Sequence, residues 1–291
     1  MRQFWKFSKP KGPGFGVSKN FYLSVLAGVP VLPPITELIA PKPEGLALDG
    51  VGVPLVNTND KSILAQPMQR GIYALSTKDQ KNVVRMMIMN ADEAGFSPEA
   101  IATSRLAERV TPEVLTRIRS TWHLIQLSWE SHDPEVYPAL DFFLRTARRL
   151  AEITDGIVAD PISERYLLPS QVFVNPRVDA LVDAREHVFI HSRPSNDSLH
   201  VFTKGLIKIG QPELELYGVP PDSYEQAGRL LMSAAQGVFM GFLVKSGSDV
   251  AGFEAREGGH DKARWEGVPV LELLPPTSVP VGKVLADWDG F

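Results

Sequence analysis

The chain has 291 residues, 44% of them hydrophobic and 22% charged, with a formal net charge of −4 and no cysteine. That length predicts one large domain or two modest ones with a sizeable core. The missing cysteines exclude disulfides, thiolate catalysis, iron–sulfur clusters and Cys-ligated zinc, and the weakly acidic balance gives no general attraction to nucleic acid, so no nucleic-acid partner is expected.

The charge is unevenly placed. From Met1 to Thr36 there is no acidic residue, whereas Arg2, Lys6, Lys9, Lys11 and Lys19 are basic, with Phe4, Trp5, Phe7 and Phe15 among them. Aromatics anchor and lysines steer, so "FWKFSKPKGPGF" reads as a docking peptide with Trp5, Phe7, Lys9 and Lys11 as candidate partner-binding residues. The plainer alternative is a surface arm packed on its own domain. The apolar stretch that follows, "FYLSVLAGVPVLPPI", is interrupted by Pro30, Pro33 and Pro34 and has no A-x-A site after it. It therefore reads neither as a signal peptide nor as a membrane span of about 20 apolar residues, and a cytoplasmic location is expected. Residues 1–66 read as a Pro/Gly-rich arm and 67–291 as an α+β domain, with a subdivision near 155–170.

Regular structure becomes legible near Gly71. "GIYALS" and the near-continuous apolar run "VVRMMIMN" predict strands. Three helix starts share one grammar, "SPE" at Ser97, "TPE" at Thr111 and "DPE" at Asp133: a capping oxygen, Pro at the first helical position, and Glu against the dipole. "STWHLIQLSWE" between the last two predicts a strand. The third helix gathers Val136, Ala139, Leu140, Phe143, Ala147, Leu150 and Ala151 on one face. Further strands are predicted at "IVAD", "QVFV", "HVFIH", "LHVFTK" and "ELELYG". A long helix then follows, capped by Asp222 with Glu225 three residues on, burying Ala227, Leu230, Leu231, Ala234, Ala235, Val238, Phe239 and Phe242. "VPVLELL" and "VPVGKVLAD" predict a closing pair of strands. Without strict β-α-β alternation, the class is α+β: mostly antiparallel sheet with helices packed on one face, with two ferredoxin-like halves as one arrangement.

The chemistry candidates lie in the second half. "TKGLIKIGQPELE", Thr203–Glu215, spaces two glycines as a phosphate loop does, yet Gln211 and Pro212 stand where such a loop needs Lys and Ser or Thr. It therefore predicts a Gly-hinged bend that delivers a strand, and no nucleotide or other cofactor is expected. In that strand Glu213 and Glu215 share a face, about 6.6 Å apart. They suit cation binding or acid/base work, or else form a solvated row balanced by Lys204 and Lys208, which is the expectation here. "HVFIHSRPSNDSLH" brings His191 and His200 toward each other across a hairpin turn near Asp197. With an acid they are weak candidates for a metal, against hydrogen-bonded strand histidines as the plainer reading. "EGGHDKARW" joins His260 to Asp261 on a Gly-flanked loop, but adjacency in sequence makes no catalytic triad, and there is no G-x-S-x-G elbow.

Thr203, Gly205, Leu206, Gly210, Pro212, Glu213, Leu214 and Glu215 match an element T-x-G-L-x-x-x-G-x-P-[DE]-L-[EQ]. On it, and on the order of "WHLIQLSWE", "PALDFFLRTARRLAEIT" and "GIVADPISERYLLP" before it, the chain resembles a group of uncharacterised bacterial proteins with a domain of unknown function. The resemblance runs from about Ile72 to Phe242 and implies no established activity, substrate or catalytic residue. The expected function is non-catalytic protein binding, as an adaptor, immunity or assembly subunit. The rivals are a metal-dependent hydrolase using His191, His200, Asp197, Glu213 and Glu215, and a small-ligand sensor with a pocket between sheet and helix.

Overall fold

The computed structural model of the protein describes residues 21–39, 61–77, 81–104, 107, 110–130, 136–172, 183–288 and 290. The candidate arm residues Trp5, Phe7, Lys9 and Lys11, the helix start at Asp133 and Phe173 and Val174 of "QVFV" lie outside them. The chain divides into two compact units, Lys19–Ala180 and a second that holds Leu181–Phe291. Both carry a six-stranded, mostly antiparallel sheet, so the α+β class is shown. The division falls later than the predicted 155–170, and each sheet has more strands than the four of a ferredoxin-like half.

The first unit orders its strands β2-β3-β4-β1-β5-β6, with β1 at Tyr22–Ala27, β2 at Gly71–Ser76, β3 at Val83–Asn90, β4 at His123–Trp129, β5 at Ile157–Asp160 and β6 at Arg165–Leu167. Its helices are α1 (Ile35–Ile39), α2 (Pro98–Ala102), α3 (Pro112–Arg119) and α4 (Val136–Ile153). The Ser97 and Thr111 caps form as their sequence grammar predicts: each side chain accepts a backbone N–H of the first turn, from Ala100 and Val114 respectively. Helix α4 buries Ala139, Leu140, Phe143, Ala147, Leu150 and Ala151, and the Phe143 ring stacks on Trp129 and meets Phe21 edge-on. Leu26 packs with Val114 and Ile118 of α3.

One expectation needs correction. Residues 1–66 are not all arm, because β1 pairs with β4 on one side and β5 on the other and buries Leu23, Val25, Leu26 and Ala27. The prolines that follow end the strand, and they obscured it by making the whole region resemble a linker.

The second unit orders its strands β10-β11-β12-β9-β8-β7: β7 (Phe189–Ser195), β8 (Ser198–Lys204), β9 (Glu213–Val219), β10 (Asp249–Val250), β11 (Phe253–Glu257) and β12 (Val270–Leu274). Among the described strands of this sheet β12 and β9 pair in parallel and the other pairs are antiparallel. Helices α5 (Tyr224–Phe239), α6 (Lys262–Trp265) and α7 (Val281–Asp287) complete it. Helix α5 lies along β8 and β9 and buries Ala227, Leu230, Leu231, Ala235, Val238 and Phe239.

Three sequence expectations fail here for local reasons. "VPVGKVLAD" is helix α7 rather than a strand, with Pro280 at its start and Leu285 buried. Val281, Val284 and Leu285 are spaced for a helical face, a signal hidden by the β-branched residues. Asp222 does not cap α5, because Pro221 opens a 3-10 turn that holds Asp222 inside it and α5 starts only at Tyr224. Pro169–Gln171 is likewise a 3-10 turn, so no strand begins at Gln171.

Because β1 lies inside the first sheet, deleting residues 1–30 is expected to unfold the Lys19–Ala180 unit, whereas deleting residues 1–18 leaves both sheets intact. Limited proteolysis with mass mapping distinguishes the two outcomes.

Candidate functional site

The loop between β8 and β9 is built around a carboxylate of its own chain. Gly205, at φ +136°, starts a 3-10 turn at Leu206–Ile209, and Gly210 ends it in the left-handed region. A Cβ on Gly205 would collide with the backbone of His187 and Val188, so the position requires glycine in both conformation and space. Glu213 reaches back over the turn. Its Oε1 accepts the Gly205 N–H (2.7 Å) and the Ile207 N–H (3.2 Å), and its Oε2 accepts the Thr203 hydroxyl (2.7 Å). The N–H groups that a phosphate loop would aim at a ligand are thus taken by Glu213.

Glu213 and Glu215 are both buried, as is Lys208, whose ammonium donates to the His187 carbonyl at 2.5 Å. The expected solvated row of Glu213 and Glu215 balanced by Lys204 and Lys208 is therefore overturned. Each carboxylate finds enough donors to enter the core, and an isolated buried charge could not.

Glu215 anchors the second cluster. Its Oε1 accepts the Gly259 N–H at 2.6 Å. Its Oε2 meets His200 Nε2 at 3.0 Å and the Trp265 indole N–H at 3.0 Å. Arg264 Nη1 lies 2.6 Å from His200 Nδ1, and its Nη2 pairs with Asp261 at 3.1 Å. An arginine N–H only donates, so His200 Nδ1 carries the lone pair and Nε2–H points to Glu215. Tyr217 stacks flat on His200, with ring centroids 3.9 Å apart, and the Arg264 guanidinium lies over the Phe202 ring at 4.8 Å. Gly258 is required beside them, since a Cβ there would sit 2.5 Å from Glu215 Oε1.

The electrostatics follow from this packing. Burial acts to raise the Glu215 pKa, but the hydrogen bonds from His200, Gly259 and Trp265 prevail and hold it below the ordinary glutamate value. Its register neighbour on β12, Glu272, is pushed up by burial and then by the Glu215 charge, with His260 offsetting part of this. His260 Nε2 is 3.4 Å from Glu272 and is itself 72% exposed. Tyr217 is raised to about 12 by burial and the nearby Glu215 charge.

The structure separates other residues that the sequence grouped together. His191 and His200 lie on neighbouring strands, but the Phe202 ring stands between them, stacked with His191 at 5.5 Å and tilted against His200 at 4.8 Å. Asp197 sits in the two-residue turn between β7 and β8. Among the described residues no group of three His, Asp or Glu side chains is placed to hold a metal ion. Sequence reasoning placed Tyr217 on the face of Glu213 and Glu215 but missed the roles of Arg264, Trp265 and Glu272. The Gly258–Gly259 pair was a trace of the segment that carries Arg264 and Trp265, since two adjacent glycines signal close backbone approach.

Away from this cluster, α5 and the segment after it line an apolar concavity of about 390 Å³. Its walls include Leu230, Ala234, Phe242, Leu243, Val250 and Trp288. A more polar concavity of about 730 Å³ adjoins it, sharing Ser233, Gly237 and Trp288. Leu243 is 57% exposed and Met240 41% exposed along this edge.

Comparison with known proteins adds no relative: no family model, curated protein or solved structure matches the chain.

Two stability predictions follow from the cluster. Gly205→Ala is expected to destabilise the second unit by at least about 2 kcal/mol, through positive-φ strain and overpacking together, read by urea denaturation. For Glu272, a folded pKa raised above the unfolded one means that the folded state holds the proton more tightly. Its contribution to stability is then greatest at low pH and falls as pH rises through the folded value. Glu272→Gln should therefore raise the urea midpoint at neutral pH, with the gain shrinking on acidification to about pH 4.

Proposed function

We propose that the protein is a non-catalytic binding module for another protein, acting in the cytoplasm as an adaptor, immunity or assembly subunit, and that the partner seats on the groove beside α5. The observation that carries this reading is the contrast between the two concentrations of side chains. The acidic cluster has its carboxylates occupied from within, with both oxygens of Glu215 and both of Glu213 accepting donors from their own chain. Such carboxylates hold structure and leave little capacity for a reacting group. The groove is the reverse, open and mostly apolar with large side chains at its rim, which is the composition of a docking surface.

The hydrolase reading finds less support, since it needs His191 and His200 to converge and Phe202 lies between their rings. A small-ligand sensor is the second reading. Its support is the groove's volume of about 390 Å³, within the range of about 300–1,000 Å³ typical of ligand pockets. The basic-aromatic residues Trp5, Phe7, Lys9 and Lys11 belong to the proposal as a further contact for the partner.

Affinity capture at native expression tests the reading with the full chain, the chain lacking residues 1–18, and Leu243→Asp. The expected outcome is one stoichiometric protein partner retained by the full chain and weakened about tenfold or more by Leu243→Asp, as for loss of an apolar anchor. If no partner is recovered and a metabolite raises the melting temperature of the full chain but not of Leu243→Asp, the sensor reading replaces this one.

A further inference from the structure

An open sheet ends in edge strands, and each edge turns a row of backbone N–H and C=O groups outward. Among the described strands, three of the four edges are blunted. Strand β6 is three residues long and begins with Arg165, β7 carries Arg193 and Pro194, and β10 is two residues long and begins with Asp249. The fourth edge is β2, whose six residues GIYALS include neither a charge nor a proline.

Two bonds at the end of the β2–β3 pair fix which β2 residues turn outward. The Thr77 N–H donates to the Asn82 carbonyl at 2.9 Å, so Thr77 faces β3, and alternation along the strand turns Ile72, Ala74 and Ser76 away from it. On the far side of β3 the Glu130 N–H donates to the Val83 carbonyl at 2.9 Å. Val83 therefore faces β4, as the register partner of an outward Ser76 must. Among the described residues no hydrogen bond reaches the outward N–H and C=O groups of Ile72 and Ala74. The Ile72 side chain beside them is 57% exposed.

A concavity of about 290 Å³ opens at the start of this edge. Its walls include Ile35, Ile63, Leu64, Pro67, Met68 and Ile72. The approach to the strand is braced, because the Tyr73 hydroxyl accepts the Gln69 N–H at 2.9 Å and donates to the Gln69 carbonyl at 3.0 Å. Apart from its chain neighbours, no atom lies within 4 Å of the place a Cβ on Gly71 would take, so there is room for a side chain where the strand begins.

We propose that the β2 edge is a strand-addition site: an extended apolar segment of a partner protein pairs its backbone with Ile72, Ala74 and Ser76 and seats one apolar side chain in the concavity.

Unpaired backbone groups recognise another extended backbone, and an adjoining pocket selects its side chain. A second copy of this chain fits less well. Antiparallel pairing of two β2 strands in full overlap sets the end of one against the start of the other. The copy would then bring Thr77, Lys78, Asp79 and Gln80 to the concavity, all polar and two of them charged, where the walls call for an apolar group. The site lies in the first unit and does not rest on the groove beside α5.

The test uses the full chain and short peptides selected on it from a random phage-displayed library. In the free chain, the amides of Tyr73 and Leu75 are expected to resist hydrogen exchange and those of Ile72 and Ala74 to exchange freely. Bound peptide is expected to slow exchange at Ile72 and Ala74 about tenfold or more. Methylating single backbone nitrogens of the peptide is expected to weaken binding about tenfold or more at alternate positions and less than about threefold between them. Ala74→Pro, which removes an outward N–H and no bond to β3, is expected to weaken binding about tenfold or more, and Leu243→Asp to leave it unchanged. Failure to select a peptide, methylation effects that do not alternate, protection confined to other residues, or loss of binding in Leu243→Asp overturns the proposal. Protected Ile72 and Ala74 amides in the chain alone also overturn it, in favour of a second copy where sedimentation shows a dimer.

Discussion

The second unit is organised by a carboxylate that has left water. Glu215 is fully buried, and an ionised group there is tolerated only where donors replace its hydration. Those donors come from two places far apart in the chain: His200 on β8, and the Gly259 backbone with the Trp265 indole of the Gly258–Pro269 segment. Satisfying one side chain therefore fixes β8, β9 and the Gly258–Pro269 segment relative to one another. The requirement for Gly258, the tautomer of His200 and the placement of Arg264 all follow from this constraint.

Glu213, two residues earlier, solves the same problem locally. It gathers the N–H groups of the 3-10 turn that precedes it and the hydroxyl of Thr203. The resemblance of Thr203–Glu215 to half of a phosphate loop has a physical core, since a Gly-bounded turn does present convergent N–H groups. Here the anion they receive is part of the polypeptide. The two acids thus divide the work, with Glu213 shaping the bend and Glu215 fastening the Gly258–Pro269 segment.

The consequence for function is a separation of roles within one unit. Glu213, Glu215 and His200 are committed to partners in their own chain, whereas the concavity along α5 is mostly apolar. Helix α5 is held on β8 and β9, the strands that the buried acids tie together, which is the rigid support that the proposed binding function requires.

Much of the fold was legible in the sequence. The strands β3 and β4, the capped starts of α2 and α3 and the buried faces of α4 and α5 follow from local chemistry: period, capping oxygens and proline position. The α+β class follows from their order. Strand β1 was hidden by the prolines after it, and α7 by its valines, since both departures depend on what the segment packs against rather than on its own propensity. The same limit applies to the site. Sequence placed Glu213 and Glu215 on one strand and His200 near them, but a carboxylate row in sequence is usually solvated. Whether it is buried depends on donors 6 to 50 residues away reaching it, as Trp265 reaches Glu215 across 50 positions. That convergence is a property of the tertiary structure alone, because solvation and burial are settled by long-range contacts rather than by residue type.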